Sequence, residues 1–271
     1  MPAAEARTIP ANLEDGMGLF SKWFGGGKDD AKETETAPKS SSLPAPVQRL
    51  IKKVENKYGQ AGDRQAAIKQ LADMGTPEAV FGLLRRFTFR IEQSIGDEEE
   101  KRMVYDELVR LGPVSVQPIL DFLEKENAPF WPTKALASIL GDERTVGHLI
   151  DIIERAEAIF DRDIERKVEL VSNLREFQDP RVRDMLLGFL TGDNEELRVH
   201  ALEGLAELGR DEMGDTLVER LLDENETQRV KTTVINLMID KKWKVKHHKE
   251  AIRKVIPQAY WIDDVGVIHK R

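Results

Sequence analysis

The sequence predicts an all-α protein, an α-solenoid of about six antiparallel helix pairs, and three observations lead there. The composition is helical in character: hydrophobic residues make up 40% and charged residues 33%, whereas aromatics reach only 6%. That balance fills a sizeable core with Leu and Ala and does not suit a sheet sandwich, which draws on Val, Thr, Tyr and Phe. Next, the segments LADMG, LVRLG, ASILG, LREFQ, LAELG and LMIDK share one pattern, and their fourth residues stand at 74, 111, 140, 177, 208 and 240. The steps between them are 37, 29, 37, 31 and 32 residues, a repeat of helix-pair length. Finally, each period holds two apolar stripes at helical spacing around a tight turn. A lone pair of that kind leaves apolar surface in water, and stacking against neighbours buries it.

Taken in order, residues 1–45 predict a disordered tail, rich in Gly, Ser, Thr, Pro and charge, with too little apolar surface to offset backbone entropy. Leu19, Phe20, Trp23 and Phe24 interrupt it at spacings that place all four on one side of a short helix over 18–24. Two readings stay open for this island: a few sticky residues in a tail, or a tether to a membrane surface or a partner groove. Met17 is a candidate start, since GLFSKWFGGGK resembles a common bacterial opening, and Lys22 stands where a myristoylation signal needs Ser or Thr.

The helical region runs from 46 to 256. Its clearest unit is RVHALEGLAELGRDEMGDTLVERLLDEN, where Leu197, Ala201, Leu205 and Leu208 form the first stripe and Met213, Leu217, Val218, Leu221 and Leu222 the second. Asp193 with Glu196 resembles a capping box, Gly209 suits the left-handed turn, and Asp211 suits the next cap. The same punctuation returns as Thr76-Pro77 and Asp179-Pro180. The two 37-residue steps predict long second helices, roughly Pro77 to Ile95 and Arg144 to Phe160, with the extra length spent on helical turns and not on loop. The acid run Asp97 to Glu100 reads as a solvated turn that starts the helix of Met103, Tyr105 and Leu108. Residues 257–271 alternate around Trp261-Ile262 and Val265 to Ile268, which predicts a small hairpin or an extended tail capping the last apolar face.

Net charge is −8, unevenly spread: residues 47–240 hold 27 basic and 39 acidic side chains, residues 241–271 hold 9 and 3. An acidic body disfavours nucleic acid as a partner, while the basic end is suited to an anionic surface. The absence of Cys excludes disulfides, thiolate catalysis and thiolate-bound metal, and with no apolar run of bilayer length a cytoplasmic protein is expected.

The segments LGPVSVQPILDFLEKEN, LGDERTVGHLIDIIE and RVHALEGLAELG resemble HEAT repeats, specifically the short bacterial type first associated with phycobilin lyases. The resemblance spans about residues 60–256. It implies a right-handed, armadillo-type superhelix whose second helices line a concave face that binds a partner. The third unit departs from the pattern with WPTKAL in place of Arg, and the sixth with DKKWK in place of the Gly turn. By the same resemblance, chromophore lyases and DNA glycosylases are enzymatic alternatives.

On that implied face the candidate partner-binding residues are Arg85, Arg86, Phe89 and Arg90 in the first unit and Asp121, Asp151, Asp215 and Glu219 further along. A second candidate is the basic patch Lys241, Lys242, Trp243, Lys244, Lys246, Lys249, Arg253 and Lys254, with the indole as a stacking surface; it reads equally as the solvated face of a terminal helix. Chemistry finds little footing. His247 and His248 point about 100° apart on a helix and have no second ligand cluster, so no metal site is expected. The di-iron relatives need His followed by Glu, a pair this chain lacks. GGGKDD lacks the spacing of a phosphate loop, and no Gly-x-Ser-x-Gly elbow occurs. The expectation is a non-enzymatic scaffold or adaptor for another protein, with no cofactor and no small-molecule substrate.

Overall fold

The computed structural model describes residues 43–92, 94–156, 161–209 and 213–271, apart from the side chains of Ser94, Asp161 and Lys246. The tether residues Leu19, Phe20, Trp23 and Phe24, the cap Asp211 and the side chain of Lys246 therefore lie outside the described part. Among the described residues the protein is mostly helical, with thirteen α-helices. The first half comprises α1 (Ala45–Val54), α2 (Ala61–Met74), α3 (Pro77–Leu84), α4 (Ser94–Leu111), α5 (Pro113–Leu123), α6 (Phe130–Leu140) and α7 (Asp142–Arg155). Then come α8 (Asp161–Leu174), α9 (Pro180–Phe189), α10 (Glu195–Glu207), α11 (Met213–Leu222), α12 (Gln228–Asp240) and α13 (Lys249–Val255). Two short strands, β1 (Tyr260–Ile262) and β2 (Ile268–Lys270), pair antiparallel at the end. No helix among the described residues is long and apolar enough to cross a membrane.

Local chemistry explains most boundaries. Thr76 and Asp179 accept backbone N–H bonds at the starts of α3 and α9, each followed by Pro at the first helical position. Gly75, Gly112, Gly141 and Gly209 all take positive φ after α2, α4, α6 and α10, a backbone conformation that strains residues with a side chain. The cap of α10 is Asn194, which accepts from the Leu197 N–H, one residue beyond the expected Asp193. In the sixth unit the left-handed position falls to Lys242, φ 54°, the one non-glycine in that region among the described residues.

Packing links elements close in sequence: α2 with α4 and α4 with α6, α1 with α3 and α3 with α5, then α8 with α10 and α10 with α12. The core runs continuously through these contacts, from Leu43 to Ile268. Helix α10 buries more than one stripe, with Val199, Leu202 and Ala206 buried as well as the expected Leu197, Ala201 and Leu205. At Gly204 an added Cβ would stand 2.7 Å from Arg175 and 2.9 Å from Leu186, so glycine lets α10 approach the end of α8 and α9 closely.

Neither long second helix forms as expected. Helix α3 stops at Leu84, Arg85–Thr88 is a 3₁₀ turn, and Phe89 is extended. The cause lies in side chains that take over backbone groups: the Arg86 guanidinium donates to the Phe89 carbonyl, and the Ile91 N–H donates to the Asp97 carboxylate. Helix α7 ends at Arg155, with Ala156 extended and its carbonyl accepting from Lys167.

Candidate functional site

The site is built at the start of α4, where the acid run is divided by helical geometry. Positions 97, 100 and 101 fall on one face and 98, 99 and 102 on another. The first face is buried: Asp97, Glu100 and Lys101 are 4%, 2% and 7% exposed, and Arg64 and Arg86 join them at 3% and 0%. Glu100 receives Arg64 Nη2 at 2.9 Å and Arg86 Nε at 2.7 Å. Asp97 receives Arg86 Nη2 at 2.8 Å and Lys101 Nζ at 2.6 Å. Arg64 Nη1 also donates to the Gly59 carbonyl at 2.6 Å. Burial alone would raise the Asp97 pKa, but the bonds from Lys101, Arg86 and the Ile91 amide hold it below the usual carboxylate range. The expected solvated turn is thus a buried ionic cluster tying α2, the 3₁₀ turn and the 89–92 segment to α4.

With α4 fixed from beneath, its other face lines a cleft of about 460 Å³ formed by Ile95, Glu98, Glu99, Arg102 and, from α6, Trp131. The Trp131 ring is held on three sides. Phe87 stacks at 6.4 Å between centroids, Tyr105 tilts against it at 5.7 Å, and Phe130 meets it edge-on at 5.5 Å. Tyr105 is in turn pinned by its hydroxyl, 2.8 Å from Ser138 Oγ, and Lys134 Nζ lies over both the Phe130 and Trp131 rings. Yet Phe130 is 49% and Ile95 76% exposed. Two large apolar side chains thus stand in water beside the charged groups of the cleft.

The residues predicted for partner binding are distributed differently. Arg86, expected on an open face, is wholly buried and unavailable to a partner, because its Nε donates to Glu100, its Nη2 to Asp97 and its Nη1 to the Phe89 carbonyl. Phe89 is half-buried beneath that guanidinium, 4.6 Å away. Arg85 is half-buried between Glu55 and Glu126; burial opposes its charge, but the Glu55 and Glu126 bonds win and raise its pKa. Arg90, Asp151, Asp215 and Glu219 are exposed, and half-buried Asp121 accepts from Gln117. No hydrogen bond or ion pair joins these four acids to one another among the described residues. In the basic patch, Trp243 is buried and offers no stacking surface, since its N–H closes the end of α12 onto the Met238 carbonyl and the ring turns into the core. The segment around it is a turn, a 3₁₀ turn at Lys246–His248 and the short α13, with Lys241, Lys242, Lys244, Arg253 and Lys254 exposed. Lys249 is half-buried and donates to the Asp264 carbonyl.

Comparison with protein-family models returns no match, nor does comparison with curated proteins. The geometry therefore speaks for itself. Among the described residues no group of three or more His, Asp or Glu stands in position to hold a metal ion. A second cleft, about 390 Å³, lies between α8 and α10 and is lined by Ile164, Glu165, Val168, Glu169 and Glu196. Glu196 there is engaged by Arg229, which holds its pKa below the usual range.

The α4–α6 cleft is hidden in the sequence because Trp131 and Phe130 sit in the segment that departs from the shared pattern, and Glu98 and Glu99 read with their neighbours as one solvated run. The signal is present: an acid run of four at a helix start must split between faces, because successive residues turn by about 100° around the helix.

Proposed function

We propose that this protein is a non-catalytic scaffold of the HEAT type, its helix pairs stacked in a right-handed solenoid, and that the α4–α6 cleft holds a partner polypeptide. Packing between sequence neighbours and the recurring glycine turns support the repeat architecture. The observation that carries the binding role is the Trp131 platform, braced from three sides while Phe130 and Ile95 remain in water. Its occupant is a segment with one apolar side chain for the Trp131 wall beside a Lys or Arg for Glu98 and Glu99. The exposed Asp151, Asp215 and Glu219 extend the same preference for basic partners along other helices.

The test is selection of a random peptide library on the full chain. Enriched peptides should pair an apolar anchor with a basic residue, and their affinity should fall about tenfold on Phe130→Ala combined with Ile95→Ser. Neither side chain belongs to the buried core, and an unchanged urea-unfolding midpoint of the double variant checks that the fold persists. Enriched peptides that bind the double variant equally well, or that are acidic, would overturn the reading.

A further inference from the structure

We propose that the C-terminal hairpin and the end of α12 form an anionic-membrane docking surface, distinct from the α4–α6 cleft. The hairpin register assigns its faces. Trp261 pairs with His269 and Ile262 with Ile268, while Lys244 forms a bridge to Val267 on the far side of β2. By strand alternation Ile262, Ile268 and Val245 point into the core, where all are buried, and Trp261, His269, Val267 and Lys244 share the outward face. Trp261 is 44% exposed with its ring stacked 4.7 Å from His269, which itself bonds the Asp263 carboxylate at 2.9 Å. The indole is therefore fixed with one face outward.

Around this face charge is strongly one-sided. Lys241, Lys242 and Lys244 are exposed and make no ion pair or side-chain hydrogen bond among the described residues, and Lys254 and the terminal Arg271 are exposed as well. Of the acids nearby, Glu250 is engaged by Arg253 and Asp263 by His269 and the Val267 N–H, while Asp240 and Asp264 are exposed and leave the basic groups in excess. Lys242 supplies a second observation. Four helix ends in this chain place glycine in the left-handed region, and here a lysine takes φ 54°. An L side chain is disfavoured there, so a charged residue held at this position points to a use for its ammonium group outside the fold.

A lipid surface fits these features better than a nucleic acid. Val265 is 64% and Val255 44% exposed, and aliphatic tips gain nothing from a sugar-phosphate backbone, while the headgroup and acyl boundary accepts them together with an indole. Lysine ammonium groups meanwhile meet lipid phosphates, and the predominantly acidic body stays clear of them.

The experiment is co-sedimentation of the full chain with vesicles of pure phosphatidylcholine or of phosphatidylcholine with phosphatidylglycerol, at low and high salt. Binding should require the anionic lipid, weaken with salt, and fall about fivefold for each lysine removed in Lys241→Ser, Lys242→Ser and Lys244→Ser. Lys242→Gly should weaken binding while raising the thermal midpoint, a combination that damage to the fold does not produce. Trp261→Ala should weaken binding at unchanged salt dependence. Equal binding to neutral vesicles, full binding by the triple lysine variant, or equal displacement by duplex DNA would overturn the proposal.

Discussion

The two ends of the helical array close in opposite ways. At the start, α2, the 3₁₀ turn and α4 are joined by a buried cluster of Arg64, Arg86, Lys101, Asp97 and Glu100. At the finish, α12 and α13 are closed by Trp243 and Val245 from the segment between them and by Ile262 and Ile268 from the hairpin, an apolar set. The ionic cluster joins the opening helices to one another, while α1 before them is covered by its own apolar residues against α2 and α3; the apolar set covers the last helices. The ionic solution fixes direction: each guanidinium fork accepts only one arrangement of its carboxylates, so α4 is set in rotation and its Glu98, Glu99 and Arg102 are aimed into the cleft. The apolar solution is tolerant of orientation, and its purpose is coverage, leaving lysines and Trp261 free on the outside.

The contrast is most sharply broken at Glu100. Glu100→Gln preserves volume but leaves three buried cations facing one carboxylate, and about 3–5 kcal/mol of stability should be lost in urea unfolding. A loss under 1 kcal/mol would mean that water already screens the cluster. At the other end Ile268→Ala, a fully buried side chain, should cost about 2–5 kcal/mol by cavity formation, and the loss should be insensitive to salt and pH.

Acid sharpens the comparison further. Asp97 has a folded pKa below its unfolded value, so its contribution is complete above about pH 4 and is lost as pH falls through the lower folded value. Amides of α4, after correction for intrinsic exchange, should lose protection over that interval before those of the residues around Trp243 and Ile268. Simultaneous loss would show that the two ends unfold as one unit. The smallest effect belongs to Lys242→Gly, which relieves the left-handed lysine and should stabilise the chain by about 1 kcal/mol at most, since glycine also gains freedom in the unfolded state. A destabilised variant would show that the lysine stem packs usefully.

Helix content and turns were legible because they depend on neighbours in the chain. Thr76-Pro77, Asp179-Pro180 and the glycines at 75, 112, 141 and 209 state their roles locally, through caps and positive φ. The stripe of Leu197, Ala201 and Leu205 likewise declares a buried face. What the sequence alone determined was thus the type of element and the places where the chain must turn, since these follow from interactions over three or four residues. Only the tertiary structure decided that Arg86 is buried and Glu99 exposed, that Trp243 turns inward and Trp261 outward, and that Trp131 becomes a platform. Charge and aromaticity do not by themselves choose a side. The choice is made by partners such as Arg64, 36 residues from Glu100, or Phe87, far along the chain from Trp131, and such partners meet only when the helices pack.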